Sequence, residues 1–356
     1  METRNQPRCQ TVTFTNTVTT ENTVFADPPD LSNETAIIEF YRTYLETLSV
    51  PTNGTASRTG TFSIDAVYCQ PSSRGRDALQ ILVHGVTYNK TMWSGYGYDP
   101  QYDWHKYANG QGYHSLAIDR VGFGLNRIHP EPLNFVQLGL GVEVAHKIIQ
   151  SIRTGFGNPL PRTFQKLAYV GHSYGSEIGT LLAGRYPDDL NALVITGFTV
   201  ALGSAARGFM LRSAANVADR FAGLSLGYLT FQNTTYRDSL MYGGSYDHAL
   251  AELDGSHEDM CTVGEIVTAG DGFTPAIGFK KPVLAVTGAS DSLFCDLSSN
   301  PDFTSCEEIL AATQVLFPNA TTYQYYAPPS TGHTLTLHYT AQDTFQKVHE
   351  FLNAEL

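Results

Sequence analysis

The sequence predicts an α/β protein built on a mostly parallel, doubly wound sheet. Short apolar runs without polar alternation recur along the chain, which suits strands buried on both faces of a parallel sheet. Helix-compatible stretches separate them, and such alternation argues for a doubly wound arrangement. The third observation is capacity: 356 residues, 42% hydrophobic and 16% charged, can bury a substantial core without disulfide or metal staples. Collagen-like, disordered and small cystine-scaffold classes are thereby excluded. With Lys+Arg 22 against Asp+Glu 34 the formal charge is −12, and no basic run offsets it. Nucleic acid and anionic membrane surfaces are therefore poor partners. No apolar stretch approaches the roughly 20 residues of a membrane span, so no transmembrane segment is expected.

Residues 1–60 read as an N-terminal arm and helix. Thr11 to Val18 alternates like a strand or a polar arm lying on a surface. Ile37, Ile38, Phe40, Tyr41, Tyr44 and Leu45 recur at helical spacing, with Ser32 or Asn33 as cap and Pro51 beyond the end. Thr61 to Cys69 reads as an amphipathic strand. The buried strands are then Leu79 to Val83, Ser115 to Ile118, Lys166 to Val170, Ala192 to Ile195 and Pro282 to Val286. Helices are expected over Tyr102 to Ala108, Pro132 to Ile152, Ser176 to Arg185 and Thr340 to Leu352. The interval from Thr196 to Pro282 is far longer than a crossover needs. It predicts a helical cap over residues 200–280, with helix-compatible runs at Ser204 to Phe221 and Asp247 to Leu253, interrupting a core of residues 61–199 and 281–356.

The chemistry centres on Gly171-His172-Ser173-Tyr174-Gly175, which follows the apolar run Leu167 to Val170 and precedes a helix. A serine between a buried strand and a helix sits on a sharp turn with its hydroxyl exposed above the sheet, and the glycines avoid collision with neighbouring elements. Such a nucleophile needs a base, and the base an orienting carboxylate, both from loops after later strands. Val283 to Val286 runs into Thr287-Gly288-Ala289-Ser290-Asp291, which nominates Asp291, with Asp296 as competitor. Ser330-Thr331-Gly332-His333 nominates His333, with His338 and His172 as competitors. The strand Gln80 to Val83 ends in His84-Gly85-Val86, and Gly85 lets the loop turn the Val86 amide inward. That amide and the amide of Tyr174 form the expected oxyanion hole. His84 reads as a core histidine bonded to loop backbone, with no proton-transfer role.

With these residues in place the chain resembles the α/β-hydrolase family of the capped type. Asp119-Arg120-Val121-Gly122-Phe123-Gly124-Leu125-Asn126 is similar to that family's D-x-x-G-x-G-x-S segment, with Asn126 where Ser is usual. The resemblance covers roughly residues 61 to 356 and leaves the first sixty unexplained; they look like an accessory arm of some extracellular members, fungal ones included. It implies an α/β-hydrolase fold and a serine hydrolase cleaving an ester, lactone or thioester of a small apolar or aromatic substrate. A lyase, acyltransferase or cyclase on the same fold is the alternative, and a non-catalytic binding protein a third. Serine at 173, where epoxide hydrolases and dehalogenases of the family need a carboxylate, argues against those activities. No cofactor or metal is expected: Gly122-x-Gly124 lacks the third glycine of a dinucleotide fingerprint, and the histidines lack metal-ligand spacing.

Compartment rests on weaker signals. Met1 to Arg8 carries no apolar run, so a signal peptide is not expected within these residues. Five acceptor triplets, at Asn33, Asn53, Asn89, Asn233 and Asn319, exceed the two or three that composition would give. Cys295 lies near Cys306 in a loop-like stretch, and Cys9 and Cys69 each adjoin a strand, so two disulfides with Cys261 left over is a natural pairing. Together these favour a secreted glycoprotein; the alternative is five reduced thiols in a cytosolic protein.

Overall fold

The computed structural model describes residues 8–72, 75–124, 129–217 and 219–356. Met1 to Pro7 and the Leu125-Asn126 end of the Asp119 segment lie outside them. Strand β1 (Arg8–Phe25) pairs antiparallel with β2 (Thr52–Gln70), and helix α1 (Glu34–Thr47) lies between them in sequence. Of the two readings of Thr11 to Val18, strand or polar arm, the structure has the strand, at the edge of the main sheet. The strand expected from Thr61 already begins at Thr52, because Thr52 to Gly60 is a polar extension without hydrophobic alternation. Its backbone ladder is reinforced by hydroxyl pairs, Thr17 with Thr61 and Thr19 with Thr59, each at 2.8 Å. The Asn33 side chain caps α1 by accepting the amides of Thr35 and Ala36. Asn22 and Thr23 bind the segment from Asn134 to Gln137, fastening β1 to the core.

The chain continues through β3 (Ala78–Val83), α2 (Trp104–Gly110), β4 (His114–Ile118), α3 (Leu138–Thr154), β5 (Lys166–His172), α4 (Tyr174–Arg185) and β6 (Ala192–Thr196). Helix α3 starts at Leu138 instead of Pro132, because the Glu131 carboxylate accepts the amides of Leu133 and Asn134 and holds a turn there. The insertion that follows holds α5 (Ser204–Arg207), β7 (Leu211–Ser213), β8 (Tyr228–Phe231), α6 (Thr234–Met241), α7 (His248–Ser256), β9 (Cys261–Thr262) and α8 (Val263–Thr268). The run Ser204 to Phe221 is not one helix, since β7 within it pairs with β8, and β8 with β9, as a small antiparallel sheet. Then come β10 (Val283–Val286), α9 (Cys306–Ala312), β11 (Tyr323–Tyr326) and α10 (Ala341–Glu355).

Among the described residues the main sheet has eight strands in the order β1-β2-β4-β3-β5-β6-β10-β11. It is parallel from β4 to β11 and antiparallel at β2 and β1. Every residue of β3, β4, β6 and β10 is buried, as helices on both faces require. Among the described residues no helix is long and apolar enough to cross a membrane. The loops after β3, β5, β10 and β11 all leave the sheet at its carboxyl edge, where doubly wound folds collect their functional residues.

Candidate active site

Ser173 joins β5 to α4 with φ 54 and ψ −121, a left-handed backbone that a non-glycine residue holds only when its surroundings enforce it. Several bonds do so. The Ser173 amide donates to Thr196 O at 2.8 Å, and the Ser176 hydroxyl donates to the same oxygen at 2.9 Å. A Cβ on Gly175 would lie 2.1 Å from Val83 O, and one on Gly171 2.4 Å from Gly175 O, so β5 and α4 can meet β3 this closely only through glycine.

Asp291 and His333, expected as orienting carboxylate and base, are brought together. His333 Nδ1 lies 2.8 Å from Asp291 Oδ2, and both residues are 1% exposed. The other carboxylate oxygen of Asp291 accepts the amides of Leu293 and Phe294 at 2.8 and 3.2 Å. The carboxylate is thereby fixed in rotamer. The His333 ring is flanked by Phe294, stacked at 5.8 Å, and by His172, centroid to centroid at 4.9 Å. His172 is the neighbour of Ser173, so the pair stands beside the elbow. The Ser173 hydroxyl and the His333 ring do not form a hydrogen bond in this structure; such contacts often tighten only when substrate binds.

The competing residues are placed elsewhere. Asp296 is occupied by the hydroxyls of Ser204, Ser298 and Ser299. His338 Nε2 accepts the Gly332 amide at 2.9 Å, so its Nδ1 donates to Thr334 O; it props the loop that carries His333. His172 is held neutral by burial, its Nδ1 on the Thr196 hydroxyl at 3.2 Å.

The loop after β3 lies directly on the elbow, since a Cβ on Gly85 would be 2.8 Å from Ser173 Cβ. Among the described residues neither the Val86 nor the Tyr174 amide has an intramolecular acceptor, and both residues line the same cavity as Ser173. What holds the loop was not legible in sequence. Buried Arg120 donates through Nη1 to His84 O at 3.0 Å and to Gly85 O, while its Nε donates to Glu265 Oε1 at 3.1 Å. The Arg120 amide donates to His84 Nε2, so the His84 proton sits on Nδ1, facing Gly85 O. Burial and the adjacent guanidinium keep that imidazole neutral. A Thr262-x-x-Glu265 capping box signals the helix that presents Glu265, but nothing in the sequence joins it to Arg120.

The cavity has a volume of about 420 Å³. Besides Val86, the elbow and the start of α4, its wall is drawn from three parts of the chain: Tyr44 and Leu45 of α1, Val200 to Phe209 and Ile266 to Phe273 of the insertion, and Leu293 and Phe294 beside Asp291. The first sixty residues therefore contribute to the site. Beneath it, Glu177 in the first turn of α4 is buried in the same wall, a residue that no sequence motif singles out. Behind the His333 loop, the buried Asp254 accepts from Tyr96, Tyr242 and Arg237 at 2.6 Å each, and Tyr88 shares a 2.7 Å bond with Thr334. That network ties the insertion to the loop of the candidate base.

A buried serine elbow, an imidazole–carboxylate pair and two free amides can together support acyl transfer. The sequence pattern of the alpha/beta hydrolase family matches residues 80–345. Among solved structures, a thermophilic esterase from Thermogutta terrifontis is similar at 14% identity and TM-score 0.53, over 82% of this chain and 94% of that one. A monoacylglycerol lipase from Paleococcus ferrophilus is similar at 15% identity and TM-score 0.53, over 81% and 98%. The peroxisomal alpha-beta-hydrolase Lpx1 of Saccharomyces cerevisiae, at 15% identity and TM-score 0.52, is matched over 99% of this chain and 91% of its own. Likenesses this distant in sequence speak for the fold alone. Comparison with curated proteins gives no match.

Proposed function

Because the chain belongs to the alpha/beta hydrolase family, we propose that it is a serine hydrolase cleaving a carboxylic ester, lactone or thioester of a small, apolar or aromatic substrate. The observation that carries this reading is the buried 2.8 Å bond between His333 and Asp291, one imidazole away from Ser173 on its elbow. Ser173 Oγ attacks the acyl carbonyl while its proton passes to His333 Nε2. Asp291 accepts from Nδ1–H and steadies the imidazolium. The amides of Val86 and Tyr174 donate to the oxyanion of the tetrahedral intermediate. His333 returns the proton to the leaving group, and water, deprotonated by the same imidazole, releases the acyl group from Ser173.

Residues 200–280 act as the cap, supplying most substrate contacts, and the apolar character of the cavity wall supports an apolar or aromatic substrate. Secretion is part of the same reading. It is supported by the disulfide pairs Cys9–Cys69 and Cys295–Cys306, with Cys261 free and buried. The decisive experiment is labelling by a fluorophosphonate probe: the wild-type chain should label and hydrolyse short p-nitrophenyl esters, and Ser173→Ala should do neither. An unlabelled wild-type protein without ester turnover would overturn the reading.

A further inference from the structure

Glu177 stands four residues after Ser173 on α4, just over one helical turn or about 6 Å along the axis. Its amide donates to Ser173 O at 3.2 Å, so its position is rigidly coupled to the elbow. The side chain lines the cavity and the residue is only 6% exposed. Its Oε2 is buried and has no hydrogen-bond partner among the described residues. A buried carboxyl oxygen without a partner is costly to the fold, and native chains retain few.

A second polar group faces the same space. Tyr44 also lines the cavity, and its hydroxyl oxygen accepts the Gly270 amide at 2.8 Å, which leaves the phenolic proton available. Around these two the wall is apolar, with Leu45, Ile266 and Phe273. Burial pushes the Glu177 carboxyl up to about 8, with Glu265 adding to the rise and Arg120 opposing it. At neutral pH the group is therefore mostly a neutral acid, able to donate one hydrogen bond and accept another. Arg207 at the cavity wall and Arg120 behind Glu177 disfavour a cationic ligand there.

We propose that Glu177 is a specificity-determining residue, and that with Tyr44 it binds a neutral oxygen function, a hydroxyl or keto group, carried on the otherwise apolar substrate close to its scissile carbonyl. The proposal rests on the serine hydrolase reading. Hydroxy- and oxo-acyl esters are the substrate class that satisfies both the apolar wall and its polar spot. A plain alkyl chain would set hydrocarbon against the Glu177 carboxyl and the Tyr44 hydroxyl in the cavity wall. Sites built to bond a substrate oxygen reject the analogue lacking it strongly for that reason.

The test compares p-nitrophenyl 3-hydroxyhexanoate, 3-oxohexanoate, 3-aminohexanoate and hexanoate with wild-type chain, Glu177→Gln and Glu177→Leu, all three checked by fluorophosphonate labelling. Wild type should favour the hydroxy or oxo ester over hexanoate by about tenfold or more in kcat/KM. Glu177→Gln, which keeps a donor and an acceptor, should retain most of that ratio. Glu177→Leu should lose the ratio and gain on hexanoate. Equal ratios in wild type and Glu177→Leu, or preference for the ammonium-bearing ester, would overturn the proposal while leaving the hydrolase reading intact. So would labelling without turnover of any of these esters. Absence of labelling in the wild-type chain would overturn both.

Discussion

Arg120 and Glu265 form a buried ion pair at 3.1 Å whose guanidinium also holds the carbonyls of His84 and Gly85. Fixing those two carbonyls fixes the peptide planes that follow, and with them the direction of the Val86 amide. Arg120 is thus a positioning residue for the expected oxyanion hole. Arg120→Met should lower kcat by about 10²-fold, the size of effect seen when one oxyanion donor is lost, with KM little changed. It should also cost about 3–5 kcal/mol of stability, because Glu265 is left buried without its partner. The double variant Arg120→Met, Glu265→Met should recover stability in denaturant titrations without recovering kcat. Recovery of both together would make the pair structural only.

Asp291→Asn keeps the shape of the orienting group but replaces its acceptor oxygen with an oxygen or an NH2 group. The Leu293 and Phe294 amides demand the carbonyl oxygen, so the NH2 falls opposite His333 Nδ1 and selects the wrong tautomer. The expected loss is on the order of 10³–10⁴ in kcat for ester hydrolysis, with the fold unchanged by circular dichroism. Asp296→Asn should leave the rate within a factor of about two, as that carboxylate serves serines on the protein surface.

How much of this was readable depended on the kind of signal. β3, β5, β6 and β10 were legible because a fully buried strand must be written in apolar residues, and the elbow because close packing admits only glycine at positions 171 and 175. β11 escaped because an edge strand reading Tyr-Gln-Tyr-Tyr is half-buried and lacks both an apolar run and alternation. The polar half of β2 escaped for the same reason. Local motifs nominated Ser173, Asp291, His333, Val86 and Tyr174. Glu177 and the pair of Arg120 with Glu265 were invisible because their meaning lies in what packs against them, 145 residues away in the latter case.

Cys295 and Cys306 enclose the loop that follows Asp291, and their bond closes a separation of 11 residues. Removing both, as Cys295→Ser with Cys306→Ser, should cost about 2–3 kcal/mol by the chain-entropy argument. Because Leu293 and Phe294, whose amides hold the Asp291 carboxylate, run directly into Cys295, kcat should also fall several-fold. Thiol titration of the unfolded, unreduced wild-type protein should find one thiol, that of Cys261. Five thiols would remove the brace and the main support for secretion.

The acceptor triplets offer a separate check on secretion. Asn53 is exposed on β2, whereas the half-buried Asn89 uses both ends of its amide: Oδ1 accepts from Thr91 and Nδ2 donates to Asp259 at 3.1 Å. Peptide mapping of chain secreted from a eukaryotic host should find glycan on Asn53 and none on Asn89. The reverse pattern would mean that the loop bearing Asn89 is open when the glycan is added.

Glu177 also makes a prediction about stability that is independent of any substrate. An ordinary glutamate releases its proton near 4.5, whereas the folded chain holds this one to about 8. Between those values the folded state binds a proton that the unfolded state has lost, so stability must fall as pH rises, by about 1.4 kcal/mol per unit for this group alone. Below 4.5 both states are protonated and the penalty vanishes; above about 8 both are ionised and it is fully in place. Glu177→Gln carries no proton to lose. The stability difference between Glu177→Gln and wild type, from denaturant unfolding at matched pH, should thus grow in favour of the variant from pH 4.5 to 8 and level off beyond, while contributions from groups not coupled to Glu177 cancel. A difference that stays constant across this range would show that Glu177 ionises normally, and would place a charged carboxylate in the cavity wall.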